Sequence, residues 1–197
     1  MSEIEDGTGS GYSAEVSSDN RLSTRTVSST ENQDAVGDSR AFNINTGWIS
    51  TVNADSALIY FKNEENDGSD FFVDAIAVGL KDGSATDVQG VYFVSNPTGG
   101  TLVDAATNCD MIENRNIGSG VSLNANTLAY KATAAGQTLS GGSDAALFAV
   151  NDQGRLFATI DFIVPKGKAC GIRIERLGSF SGDVYAALIG HKRKVLL

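Results

Sequence analysis

Between Arg155 and Glu175 apolar and polar positions alternate along two runs separated by one turn. In RLFATIDFIV, Leu156, Ala158, Ile160 and Phe162 share one face, with Phe157, Thr159, Asp161 and Ile163 on the other, a period of two. Pro165-Lys166-Gly167 then removes a backbone donor and supplies a residue that tolerates positive φ, so the chain turns back into Ala169 to Ile174. In this second run Ile172 and Ile174 share a face while Arg173 and Glu175 point the other way. The spacing predicts a hairpin with one apolar and one partly polar face, and the apolar face requires a second sheet to cover it.

The rest of the chain after residue 40 supplies candidates for that sheet. Phe42 and Ile44 alternate with Asn43 and Asn45, then Gly47 precedes Trp48-Ile49. Ala57 to Phe61 is nearly continuous in apolar character, as in a central strand. Lys62 to Asp70 is a polar connection carrying the turn signal Asn66-Asp67-Gly68. Phe71 to Leu80 follows as a strand in which Phe72, Ala75 and Val78 straddle a bulge or bend. Further strands are expected at Val88 to Ser95, Gly100 to Ala106, Thr127 to Thr133, Ala145 to Val150 and Asp183 to Ile189, and a long surface loop at Ala106 to Ser122. Short runs every eight to twelve residues, punctuated by Gly, Asn, Asp or Pro, predict an all-β fold, and eight or so strands suit a single jelly-roll-like antiparallel β-sandwich. At 197 residues the chain fits one such core, burying on the order of 70% of its unfolded surface.

Residues 1–40 are different in kind. Only nine are apolar, and eight acidic residues against three arginines leave this segment with −5 of the chain's net −9. Such a segment buries too little surface to offset its own chain entropy, so an extended N-terminal arm is expected at 1–40 and the sandwich at 41–197. Fully extended, forty residues reach roughly 130 Å, enough to cross onto neighbouring subunits; the other course is to pack back on its own domain. Arg21, Arg25 and Arg40 are spaced along it so that each could pair with an acidic neighbour and fix the register, and Tyr12 adds an aromatic contact.

Charge and chemistry narrow the function. A net charge of −9 argues against a dedicated nucleic-acid binder, which needs basic surface to displace counterions. No run approaches the roughly 20 apolar residues that span a bilayer, and MSEIEDGTGSG lacks the basic start and apolar core of a secretion signal, so a cytoplasmic origin is expected. Cys109 and Cys170, 61 positions apart, are expected to be reduced, unrelated thiols; a disulfide between them would need an oxidising compartment.

No proton-transfer set stands out. The single histidine, His191, beside Lys192-Arg193-Lys194, is expected to be exposed at a solvated strand end, and no G-x-S-x-G elbow is present. Glu64, Glu65, Asp67 and Asp70 lack the alternating spacing of a calcium loop and are expected to form a solvated turn. One histidine and two distant cysteines make a poor zinc set. The Gly7 to Gly11 stretch does not sit between a strand and a helix, which a phosphate loop requires, and Pro97 to Gly100 is explained as a turn. Phe71, Phe72, Phe157 and Phe162 are expected in the core, leaving Tyr12, Trp48 and Tyr130 as candidate surface aromatics. No enzyme activity, cofactor or metal is expected.

The strings SRAFNINTGWIS, FFVDAIAVGL and SNPTGGTLV, and RLFATIDFIVPKGKACGIRI followed by DVYAALIGH, resemble virion structural proteins of tailed bacteriophages. More narrowly they resemble small jelly-roll proteins of the capsid-decorating (cement) type. The resemblance covers most of residues 39–191 and rests on strand patterning and turns, so it carries over no functional residue. It implies a virion protein on the capsid surface, made in a bacterial cytoplasm. Its implied partners are the major capsid protein and copies of itself, as a homotrimer, with neither nucleic acid nor membrane. The arm would order on assembly, with Tyr12, Arg21, Arg25 and Arg40 as partner-binding candidates. A second expectation is a tail-fibre or host-recognition module whose sandwich loops bind a glycan, marked by an exposed aromatic on a loop beside paired polar groups, with Tyr12 or Trp48 the first to check.

Overall fold

Every alternating run pairs antiparallel with a neighbour distant in sequence, and these pairings build two sheets that face each other. The computed structural model describes residues 3–5, 13–15, 31–52, 55–81, 88–151, 154–176 and 181–193. The chain divides into two units, Met1–Thr30 and Glu31–Leu197. In the first, β1 (Glu3–Glu5) pairs antiparallel with β2 (Ser13–Glu15), Ile4 opposite Ala14.

The second unit opens with α1 (Glu31–Gly37) and continues with β3 (Ala41–Asn45), β4 (Ile49–Val52), β5 (Ser56–Lys62), β6 (Asp70–Lys81) and β7 (Val88–Ser95). After α2 (Thr101–Ala105) come β8 (Met111–Asn114), β9 (Leu128–Lys131), β10 (Ser143–Asn151), β11 (Arg155–Val164), β12 (Ala169–Arg176) and β13 (Ser181–Arg193). One sheet has the order β10-β7-β12-β5-β9, the other β11-β6-β13-β3-β8, with β4 also on β13.

The pairing is nested: β3 with β13, β5 with β12, β6 with β11 and β7 with β10, so among these eight strands the first meets the last and the inner two meet each other, while β8 and β9 add to β3 and β5 at the sheet ends. The chain is thus a ribbon folded in half and then rolled, and β6·β13 and β7·β12 close the roll into sheets. This is a jelly roll. Phe61 on β5 meets Phe71 on β6 at 4.6 Å between ring centroids, and Phe93 on β7 meets Phe162 on β11 at the same distance, so aromatic pairs span the core from sheet to sheet. A second, smaller apolar cluster lies where α2 buries Leu102 with Tyr60 and Ala132.

Three expectations are corrected. The turn at Pro165-Lys166-Gly167 does not make a hairpin: β11 pairs with β6 in one sheet, while β12 pairs with β5 and β7 in the other. A period of two fixes which face a strand buries, and that face is buried equally well across the sandwich or beside a neighbour. The run at Gly100 to Ala106 is α2, a single turn, because Leu102 and Val103 are adjacent and the helix lets Leu102 alone reach the core. The expected loop at Ala106 to Ser122 contains β8, which pairs Phe42 with Asn114 and Asn45 with Met111. The bulge expected in β6 is present: the ladders to both β11 and β13 shift register at Asp74. There Phe72 O passes so near Gly190 that a Cβ would lie 2.1 Å from it.

Residues 31–40 pack into this unit. Ala35 is fully buried, Arg40 N–H donates to Ala35 O at 2.7 Å, and the Arg40 guanidinium donates to Lys192 O at 2.9 Å and to Asp38 at 3.1 Å.

The ribbon crosses between the sheets three times, and at the middle crossing, where β5 passes to β6 and β11 passes to β12, Asn63 sits inside the bend, fully buried. Its Nδ2 donates to Ser69 O and Val164 O, both at 2.9 Å, and its Oδ1 accepts from Glu65 N–H at 3.1 Å. Its backbone accepts from Gly167 N–H at 2.7 Å and donates to Lys168 O at 3.0 Å, and Gly167 meets the turn with φ 77°. Replacing Asn63 by Ala strands two buried carbonyls and one N–H, at a cost of about 1–3 kcal/mol for each group left without a partner. The expected result is a loss of about 3 kcal/mol or more in urea unfolding with an unchanged m-value.

Candidate functional site

The outward faces of β3, β6, β11 and β13 present Asn43, Asp74, Phe157, Thr159 and Ile189 side by side, and Arg115, just beyond β8, closes the group. They line an open cleft of about 290 Å³. Alternation puts Asn43, Phe157, Thr159 and Ile189 on this face, because Ile44, Ala158, Ile160 and Leu188 turn inward. Asp74 joins them at the bulge, where the extra residue of β6 is accommodated.

The electrostatics of the cleft are mixed. Asp74 carboxylate oxygens lie 3.1 Å from His191 Nδ1, and the His191 ring is 3% exposed and stacked on Phe72 at 5.3 Å. Arg193 lies over Phe72 with its guanidinium 5.7 Å from the ring. Asn43 Oδ1 is shut off from solvent and has no hydrogen-bond partner among the described residues. Phe157, at the rim, is 65% exposed. The Asp74 carboxylate, the Thr159 hydroxyl, the Arg115 guanidinium and the exposed Phe157 ring form a set that can hold a hydroxyl-rich ring.

Several sequence expectations change here. His191 is buried, paired and stacked, because its strand continues to Arg193 under cover of Phe72 and Asp74. Lys192 is not part of a solvated strand end either: its Nζ meets Glu65 Oε2 at 3.0 Å, and both side chains are nearly buried. Glu65 accordingly leaves the solvated acidic turn that was expected, being 3% exposed and accepting from Thr127 Oγ1 and Asn124 N–H, both at 2.8 Å. Its neighbours are also engaged, Glu64 with Lys62 and Asp67 with the Ser69 N–H. Phe157 is outside, not in the core, while Phe71 is fully buried and Phe162 packs on the core.

Of the partner-binding candidates, Arg40 is tied to Asp38 and to the Lys192 carbonyl within its own chain. Tyr12, Arg21 and Arg25 lie outside the described residues. Trp48 is half exposed, edge-on to Tyr185 with centroids 5.0 Å apart, and Lys81 lies 5.7 Å above it. Tyr130 stacks on Tyr60. The cleft was not assembled from sequence, since its residues come from five places joined only by the register of the sheet. The one local signal was the alternation that grouped Phe157 with Thr159 and Asp161.

Comparison with protein families, with curated proteins and with solved structures returned no match.

Cys109 and Cys170 are both free and buried. Burial pushes the Cys109 thiol from its ordinary 9.0 up to about 12, against a smaller opposing pull from Lys131, and burial alone raises Cys170. A raised thiol pKa contributes stability that is intact below the unfolded-state value and lost as pH climbs toward the folded one. Stability should therefore fall between about pH 9 and 12, by up to about 1.4 kcal/mol per pH unit for each thiol. At pH 8 both thiols should resist a disulfide-exchange reagent in native protein and react at once in denaturant; prompt reaction without denaturant contradicts their burial.

Proposed function

We propose that this chain is a structural protein of a tailed-phage virion, a capsid decoration subunit that sits on the outer surface of the head and bridges capsomers through its leading segment. The observation that carries the reading is the division at Thr30–Glu31 between a jelly roll with its own buried core and a polar, acidic leader. The resemblance of residues 39–191 to cement proteins points the same way. The partners are the major capsid protein and copies of this chain. Each contact is weak, because ordering a polar segment on docking costs entropy, and repeated contacts on a lattice add through effective concentration.

A second reading is favoured by one observation, the cleft of Asn43, Asp74, Arg115 and Thr159 beside the exposed Phe157. In it the chain is a glycan-recognition module of a tail fibre or host-binding tip, with the phenyl ring covering the apolar face of a sugar and the polar groups its hydroxyls. Binding to a glycan array that is lost in Phe157→Ala would favour this reading over decoration.

The decoration reading is tested by deleting residues 1–30 and not 1–40, because Ala35 and Arg40 belong to the packed body. The shortened protein should unfold at the same denaturant midpoint as the full chain yet fail to co-sediment with undecorated heads. Full occupancy of heads by the shortened protein overturns the bridging role of the leader.

A further inference from the structure

The two sides of the sandwich are finished differently. On one side the outer strands β8 and β9 have four residues each, and β9 is covered by the preceding segment, with Cys109 N–H donating to Ala129 O and Lys131 N–H to Thr107 O, both at 2.8 Å. On the other side β10 and β11, of nine and ten residues, end their sheets, and no strand among the described residues pairs with their outer edges. Here the core is incompletely covered: Phe148, Leu156, Ala158 and Phe162 face inward but are only partly buried. Outside, Leu147 is 60%, Phe157 65% and Ile163 54% exposed.

Exposed edges of this length are ordinarily blunted by charged side chains, lysine above all, by a proline, by an inward-pointing charge or by a bulge. Between Arg155 and Val164, β11 has no lysine, proline or inward-pointing charge; its only charges are the outward Arg155 and Asp161. Its register shift interrupts the ladder to β6 at Ile160-Asp161, yet its own alternation of inward and outward residues runs unbroken from Leu156 to Val164.

We propose that the open edge of β11 is a self-association surface that pairs antiparallel with β11 of a second copy about a two-fold axis at Ala158. The occupant follows from the charges. Outward-facing Arg155 and Asp161 lie three residues either side of Ala158, both are exposed, and neither has an ion-pair partner among the described residues. An antiparallel pairing centred on Ala158 sets Arg155 of each copy opposite Asp161 of the other, with Phe157 opposite Thr159 and Leu156 opposite Ile160. Residues directly opposite in such a pair stand about 5 Å apart at Cβ, so both ion pairs and the inward apolar pairs form together. The arrangement is isologous, each copy offering the same patch. β10 offers no such match, because Asp144 at its start is already bound by Arg173 and no cation lies on its far half. The pairing is two-fold, in contrast to the three-fold association that the resemblance implies. It rests on the strand edge alone and not on the virion reading, so failure of head binding leaves it untouched.

The test is sedimentation velocity of the full-length chain over a concentration series. The parent should be a monomer–dimer system. Asp161→Arg or Arg155→Asp alone sets like charges opposite each other twice and should weaken dimerisation by about tenfold or more, with the unfolding midpoint unchanged. The double variant R155D/D161R restores the opposition and should recover the parental affinity. A monomer at every concentration, a trimer, single variants that associate like the parent, or a double variant as weak as the singles each overturns the proposal.

Discussion

The buried amide of Asn63 holds the middle one of the three points at which the rolled ribbon crosses between its sheets. A ribbon of paired strands can be rolled into two sheets only if both of its strands leave one sheet and enter the other at the same place. At this bend the β5–β6 and β11–β12 connections run side by side, and each leaves backbone groups that no ladder satisfies. Asn63 answers them from one position, donating to Ser69 O and Val164 O while its own backbone binds Gly167 and Lys168. No apolar side chain could occupy the site without stranding those groups. The aromatic pairs Phe61–Phe71 and Phe93–Phe162 then fill the space between the sheets. They contribute more area than Asn63, but they do not determine where the ribbon bends.

The neighbouring ion pair of Glu65 and Lys192 extends the same logic to the loop. Glu65 is placed by the Asn63 turn, and its carboxylate takes Lys192 from the end of β13 and the Asn124 and Thr127 groups of the long loop. A carboxylate so enclosed is tolerable because a cation and two hydrogen bonds surround it. Removing either charge would leave the other buried and alone, which is far more destabilising than an exposed pair's loss. The loop that leads into β9, and with it the covered side of the sandwich, is therefore anchored by chemistry that begins at the ribbon's middle bend.

How much of this was legible in the sequence differs by kind of information. Face assignments were: the alternation in RLFATIDFIV correctly turned Leu156, Ala158, Ile160 and Phe162 inward, and the irregular spacing of Phe72, Ala75 and Val78 announced the bulge. Sheet membership was not, because Pro165-Lys166-Gly167 suits a hairpin and a sheet-to-sheet crossing equally. The candidate cleft was illegible for the same reason, since only register brings Asn43, Asp74, Thr159 and Ile189 together. His191 and Glu65 misled because their local sequence is hydrophilic. A charged run is solvated on average, but Glu65 and Lys192, 127 positions apart, solvate one another. Phe157 misled in the opposite sense, an aromatic whose own alternation placed it outside.

That last residue bears on how the protein meets its surroundings. An acidic chain of net charge −9 disfavours contact between copies at long range, so any self-association must be won at short range by apolar cover and matched charges. The β8–β9 side has short strands of four residues each, and although Met111 and Ile112 on β8 are exposed it offers no long edge. The β10–β11 side has long edges and exposed apolar residues, together with the one symmetric Arg–Asp spacing on an outer strand. Repulsion between the bodies then acts as a filter: it opposes random collisions of the exposed Phe157 and Ile163 faces, while leaving the registered approach, in which Arg155 meets Asp161, as the one that relieves charge instead of accumulating it.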